Sequence, residues 1–280
     1  MVRSRTSRAL RTAASEAAVL VRRLKPGRSG TLRVIYYHRI DDEPHRSCVP
    51  KRAFAEQMAL LRREGFHLLP LSAVREHLDA KREFPERSVV VTFDDGFADN
   101  YTNAFPVLQK EQIPATVFLT VDYIGTDELP VLRDRRGVPP LRWEQVEEMA
   151  RHGVDFGAHT LTHPNLTTLD DECLRHEVAE SGRTIRERTG IEARTFCYPR
   201  GDFDARVKDA VREAGYELAC TTMPGCVTRD THPFSLRRTF IANDDTLRDF
   251  RHKLDGSFDL LHAAQQRWRG AQAASAGGGE

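Results

Sequence analysis

The stretch Ser88-Val-Val-Val-Thr-Phe-Asp-Asp-Gly96 limits what this chain can fold into more than any other. Its apolar and β-branched residues run to Phe93 without alternating, so both faces of the strand they form are buried, as in a parallel sheet. The run then stops on two acids and a glycine. Asp94 and Asp95 thus stand at the strand's C-terminal end, where α/β folds place their chemistry. Successive strand residues point to opposite faces, so the two acids share a site only where the strand breaks, a break Gly96 permits. Taken alone, the three residues read equally well as an Asp-Gly turn.

Strand and helix patterns alternate along the rest of the chain. Strands are expected at 32–37, ending on His38, and at 115–120, 154–158, 194–198 and 216–221, with shorter ones at 66–71 and 240–241. Helices are expected over 53–64, 72–81, 102–112, 143–152, 170–188 and 205–214, several of them closed by glycine. Residues 122–140 hold Pro130, Pro139 and Pro140 and read as a long loop over the site. This alternation predicts an α/β fold, a parallel β/α barrel rather than a sandwich or a bundle. A chain of 280 residues that is 40% hydrophobic can bury such a core, and 30% charged residues keep it soluble.

Charge separates the ends from the body. Of 42 bases and 41 acids, eight and one fall in residues 1–30, which leaves 34 bases against 40 acids. A mildly acidic body argues against nucleic acid as a partner. Residues 1–30 read as a basic N-terminal extension ending in a Pro26-to-Gly30 linker, residues 31–262 as the domain, and 263–280 as a disordered Ala/Gln/Gly-rich tail. Within the extension, residues 9–24 form an amphipathic pattern suited to peripheral contact with an anionic membrane, or to a solvated or domain-packed helix. The extension has no signal-peptide core and the chain no membrane-spanning run, so the expected compartment is the cytoplasm or the cytoplasmic membrane face. Five scattered cysteines form no CxxC pair, and whether Cys220 and Cys226 meet is open.

The second motif is His159-Thr-Leu-Thr-His163. Histidines four apart on a turn can serve one metal ion, although the pair alone is equally a coincidence at a helix cap. Its position strengthens it. Asp94/Asp95, His159/His163 and Tyr198-Pro199 all end different predicted strands, and a barrel gathers strand ends at one rim. Two imidazoles and one carboxylate leave metal positions open for water and substrate, and the second carboxylate is placed to take a proton from that water. That is the design of a metal-assisted hydrolase.

On these residues the chain resembles the NodB-type polysaccharide deacetylases, carbohydrate esterase family 4. Thr92-Phe-Asp-Asp-Gly96, His159-Thr-Leu-Thr-His163 and Phe196-Cys-Tyr-Pro-Arg-Gly201 look like the family's successive motifs. Tyr36-Tyr-His-Arg-Ile40 is similar to the poly-N-acetylglucosamine deacetylase branch. The resemblance implies a distorted barrel of about seven strands and a divalent metal, usually zinc. It makes Asp94 the general base and Asp95, His159 and His163 the metal ligands. The backbone N–H of Arg200 becomes the oxyanion donor, and Tyr198, Pro199 and Trp143 become substrate contacts. The implied reaction is removal of N-acetyl groups from an N-acetylated glycan.

Two departures stand out. The slot of the arginine that orients the base holds Cys197, as the exopolysaccharide branch tolerates. Where a late histidine motif would supply the general acid, the chain has Ser235-Leu-Arg-Arg238. His38 is a geometric candidate for the acid, His232 a weaker one. The alternatives are a catalytically impaired glycan-binding module, or a metal-dependent hydrolase of another small amide or ester.

Overall fold

In a computed structural model of the chain, residues 30–127, 138–257 and 259 are described. The expected helix over 9–24, the tail from 263 and the middle of the 122–140 loop lie outside them. The described residues fall into two compact units, Gly30–Asp244 and those from Asp245 onward.

The first unit is the predicted α/β barrel. Its strands are β1 (Leu32–Tyr37), β2 (Arg39–Ile40), β3 (Cys48–Val49), β4 (His67–Leu68), β5 (Ser88–Phe93), β6 (Ala115–Leu119), β7 (Val154–Ala158), β8 (Thr195–Cys197), β9 (Leu218–Cys220) and β10 (Thr239–Phe240). Its helices are α1 (Lys51–Arg63), α2 (Ala73–Asp79), α3 (Phe105–Glu111), α4 (Trp143–Arg151), α5 (Asp171–Thr189) and α6 (Ala205–Glu213). Seven strands follow the order β10-β1-β5-β6-β7-β8-β9, with β4 added beside β5. Every pairing is parallel, so the C-terminal ends of the strands share one edge. Leu236 bridges Cys220 after β9, and Phe240 pairs with Tyr36 of β1. One short segment therefore joins both ends of the sheet and curls it.

Alternation along the strands sorts the side chains. Val34, Val90, Phe118, Cys197, Leu218 and Cys220 form one buried cluster with Val74 and Leu78 of α2 and Phe84. Neighbouring positions turn the other way: Tyr37 and Phe93 pack on Phe54 of α1, with ring centroids 5.3 and 5.9 Å apart. Burying one such aromatic or aliphatic side chain contributes roughly 1.5–3 kcal/mol. The helices are set by caps: Asp170 accepts from the Cys173 N–H at 2.8 Å to start α5, and Asp204 accepts from Val207 at 2.8 Å to start α6.

The second unit carries α7 (Leu247–Leu254), opened by a reciprocal cap in which the Asp249 N–H donates to Thr246 Oγ1 and the Thr246 N–H to Asp249 Oδ2. No helix among the described residues is long and apolar enough to cross a membrane.

Candidate active site

The β1–β5 register pairs Tyr37 with Phe93, so His38 and Asp94 leave the sheet side by side, and the Asp94 N–H donates to the Tyr37 carbonyl at 3.0 Å. The strand breaks at Asp95 itself, whose φ is 76°, followed by Gly96 at 77°. A left-handed non-glycine residue is unfavourable and marks a site held by its surroundings. This break lets two adjacent acids, each 3% exposed, reach one site.

Asp95, His159 and His163 come together there. Asp95 Oδ1 lies 3.6 Å from His159 Nε2 and 3.8 Å from His163 Nε2. These separations are too long for hydrogen bonds, yet close to the roughly 3.3 Å between ligands of a tetrahedral ion bound at about 2.0–2.1 Å. His159 Nδ1 stands 2.6 Å from the Cys197 carbonyl, which only accepts, so Nδ1 carries the proton and Nε2 keeps its lone pair. Burial first, and then neighbouring His163, push the His159 pKa down to about 3, so the ring is neutral. Burial lowers His163 as well. The donor set fits a divalent cation.

A second grouping, Asp94 with His159 and Cys197, has its donor atoms equally close. It suits a metal less well. Burial raises the Cys197 thiol far above its ordinary value, so it stays protonated, and Asp94 is already committed elsewhere.

That commitment is to Arg238. Its guanidinium is fully buried and donates to Asp94 Oδ1 at 2.7 Å and Oδ2 at 2.8 Å, to Thr92 Oγ1 at 3.2 Å and to the Thr221 carbonyl at 2.9 Å. The Cys197 sulfur sits 3.0 Å from Nη2, and the cation lies over the Tyr36 ring at 4.3 Å. Burial alone would raise the Asp94 carboxyl; the charge and hydrogen bonds of Arg238 overcome it and bring the pKa to about 2. The arginine whose usual slot holds Cys197 is thus supplied from the segment that joins β9 to β1. The segment expected to carry a general acid instead supplies the ion-pair partner of Asp94.

The other expected residues divide. His38 is half-buried beside Asp94, close enough for its charge to act on that carboxyl, and its carbonyl accepts from Asn100 Nδ2 at 2.8 Å. The chain just past it is pinned by the buried Arg39–Asp99 pair at 2.8 Å. Arg200 is exposed in a turn at φ 61°, and its charge bears on His163. Trp143 opens α4 two residues after Leu141, whose N–H donates to the Gly96 carbonyl at 2.8 Å. Tyr198 corrects the expectation: it is fully buried, stacks on Phe203 at 4.8 Å and gives its hydroxyl to the Phe234 carbonyl at 3.1 Å. Pro199 is buried too. Both shape the turn and offer no open surface to a substrate. His232 caps the 233–235 turn, and Lys208 and Arg212 act on it rather than the acids. Cys220 and Cys226 are free thiols.

Comparisons with known proteins bear on the family and the fold. The sequence model of the family described as Polysaccharide deacetylase matches residues 81–219. YxkH of Bacillus subtilis (strain 168), a protein ascribed to the polysaccharide deacetylases, is 29% identical over 78% of this chain and 74% of its own length. Poly-beta-1,6-N-acetyl-D-glucosamine N-deacetylase of Escherichia coli (strain K12) is 25% identical over 79% of this chain, which spans 38% of that longer protein. Among solved structures, the Streptococcus pyogenes deacetylase PplD in complex with acetate superposes with a TM-score of 0.70 at 22% identity, covering 81% of this chain and 99% of that one. It shares the fold.

Proposed function

Residues 81–219 of this chain belong to a polysaccharide deacetylase domain of the NodB type, and from that premise we propose a metal-dependent hydrolase that removes N-acetyl groups from an N-acetylated glycan. A β-1,6-linked N-acetylglucosamine polymer, the substrate in the name of the Escherichia coli relative, is the glycan to try first. The observation that carries the reading is Asp94, gripped at both oxygens by Arg238 beside the Asp95–His159–His163 cluster. A turn-forming Asp-Gly pair has no use for a buried guanidinium.

Asp95, His159 and His163 would hold the ion, with zinc suited to two imidazoles and a carboxylate. When bound, the ion supplies Lewis-acid chemistry, polarising the acetyl carbonyl and acidifying water. Asp94 takes the proton of the attacking water; Arg238 occupies one acceptor site on each of its oxygens and keeps it ionised and aimed. The Arg200 N–H donates to the oxygen on which negative charge develops. As the carbon–nitrogen bond breaks, His38 gives a proton to the departing amine, and acetate and a free amino sugar leave.

The test is acetate release from N-acetylglucosamine oligomers by purified protein, with metal stripped and restored, beside Asp94→Asn. Release should follow the metal and fall at least a hundredfold in Asp94→Asn. Zinc bound at one equivalent without release from any acetylated glycan would refute the reading and leave hydrolysis of another small amide to be tried.

A further inference from the structure

The two histidines of the cluster are held in different ways. His159 is fixed through its ring by the Cys197 carbonyl. His163 Nδ1 is buried and makes no hydrogen bond to another residue, so its ring has no such tether. Its position therefore depends on the backbone of the 159–163 turn, and that backbone is unfavourable. Thr160 has φ 67° and His163 φ 62°, both left-handed and neither a glycine. Each such residue costs about 1–2 kcal/mol, so the turn needs something to hold it.

Its carbonyls are held by the main chain, with the Val121 N–H donating to Thr160 and the Asp122 N–H to Leu161, each at 3.1 Å; its N–H groups at 161 and 162 are held by one side chain. Glu177, on α5, accepts from the Leu161 N–H at 2.9 Å and the Thr162 N–H at 3.0 Å through Oε2, and from the Thr162 hydroxyl at 2.5 Å through Oε1. Within the turn, Thr160 Oγ1 accepts from the His163 N–H at 2.8 Å. Three donors from two consecutive residues converge on one carboxylate, and charge-assisted bonds of this kind are the strong ones. The carboxylate points at the middle of the turn, between the two histidines.

We infer that Glu177 is a positioning residue for the metal site: it clamps the turn in its left-handed form and so holds His163 where its Nε2 shares an ion with Asp95 and His159. The inference rests on the reading of those three residues as ligands. Glutamine at 177 keeps one oxygen for the two backbone N–H groups but loses the charge that strengthens all three bonds, and its NH2 meets the Thr162 hydroxyl only if that hydroxyl turns to accept. The 161–162 amides are then held less firmly, the C-terminal half of the turn can relax, and His163, with no ring tether to another residue, moves with it.

The experiment measures the zinc dissociation constant of the full chain by competition with a chromophoric chelator, with thermal melting of the metal-free protein alongside. Glu177→Gln should weaken zinc by 10–100-fold at a temperature where the metal-free variant is folded. Thr162→Val, which removes one of the three bonds, should weaken it by about threefold or more, and it carries the test alone if Glu177→Gln does not fold. A zinc constant within twofold of wild type in every variant that folds overturns the inference, even where the melting temperature drops, since a structural role moves melting only. His163→Ala separates the two levels. If it too leaves zinc binding unchanged, the ligand reading has failed; if it abolishes tight binding while the Glu177 and Thr162 variants do not, only the role of Glu177 has.

Discussion

Arg238→Met is the most informative perturbation of this site. It keeps an unbranched side chain in a fully buried position and removes the donors to Asp94, Thr92 and Thr221. Removing one partner of a buried ion pair costs about 3–5 kcal/mol. The pKa carries part of this. Arg238 brings Asp94 down from 3.8 to about 2 against burial that pushes the other way. Without it the carboxyl rises past its ordinary value, a shift of roughly 2 units or more, on the order of 3 kcal/mol. The sign follows from linkage. A depressed carboxyl pKa gives stability that is present above the unfolded value near 4 and is lost as pH falls through about 2. The gap between wild type and variant should therefore be widest at neutral pH, and narrower by about 1 kcal/mol or more at pH 3. Urea midpoints of metal-free protein at pH 7 and pH 3 read it directly. The acid limb of kcat/KM should move up by about 2 units for the same reason. An equal stability gap at both pH values, with an unmoved acid limb, would refute the claim that Arg238 acts through the charge of Asp94.

His38→Gln should lower kcat by about a hundredfold or more with zinc stoichiometry unchanged; a kcat within threefold of wild type removes His38 as the acid. Arg200→Ala keeps the backbone N–H and should hold kcat within about fivefold, whereas a loss beyond a hundredfold would move the oxyanion role to the side chain. Gly96→Ala puts a Cβ 2.9 Å from Leu119 Cδ2 at φ 77°, and should destabilise by about 1–3 kcal/mol in a urea titration.

The sequence reads well wherever the information is local. An unalternating β-branched run this short reads as a two-sided strand, and β5 is that. The two acids and the two histidines are found from strand ends alone, because parallel pairing puts those ends at one edge. Tyr198 departs from its expected place for the same reason that the acids and histidines converge: standing at a strand end says where the backbone goes, and the side chain there turned inward. The break at Asp95 was assigned to Gly96, since a left-handed aspartate leaves no trace in composition.

Arg238 is harder, being 144 residues from its partner. A signal existed nonetheless. Leu236 and Arg238 share a parity, Leu236 is fully buried, and Arg237 between them is exposed. An inward arginine on such a segment demands a buried carboxylate, and few acids in the chain end a two-sided apolar strand. The same reasoning explains Cys197. Its sulfur lies 3.0 Å from the Arg238 guanidinium, in the space an arginine at 197 would need. Two guanidiniums on one buried carboxylate would leave a net positive charge without solvent, so the slots at 197 and 238 exclude one another. A small neutral residue at 197 is what an arginine at 238 requires, so its presence is no sign by itself of a decayed site. Cys197→Arg should accordingly destabilise the wild-type chain and be tolerated better beside Arg238→Met, a coupling that a double-mutant cycle measures.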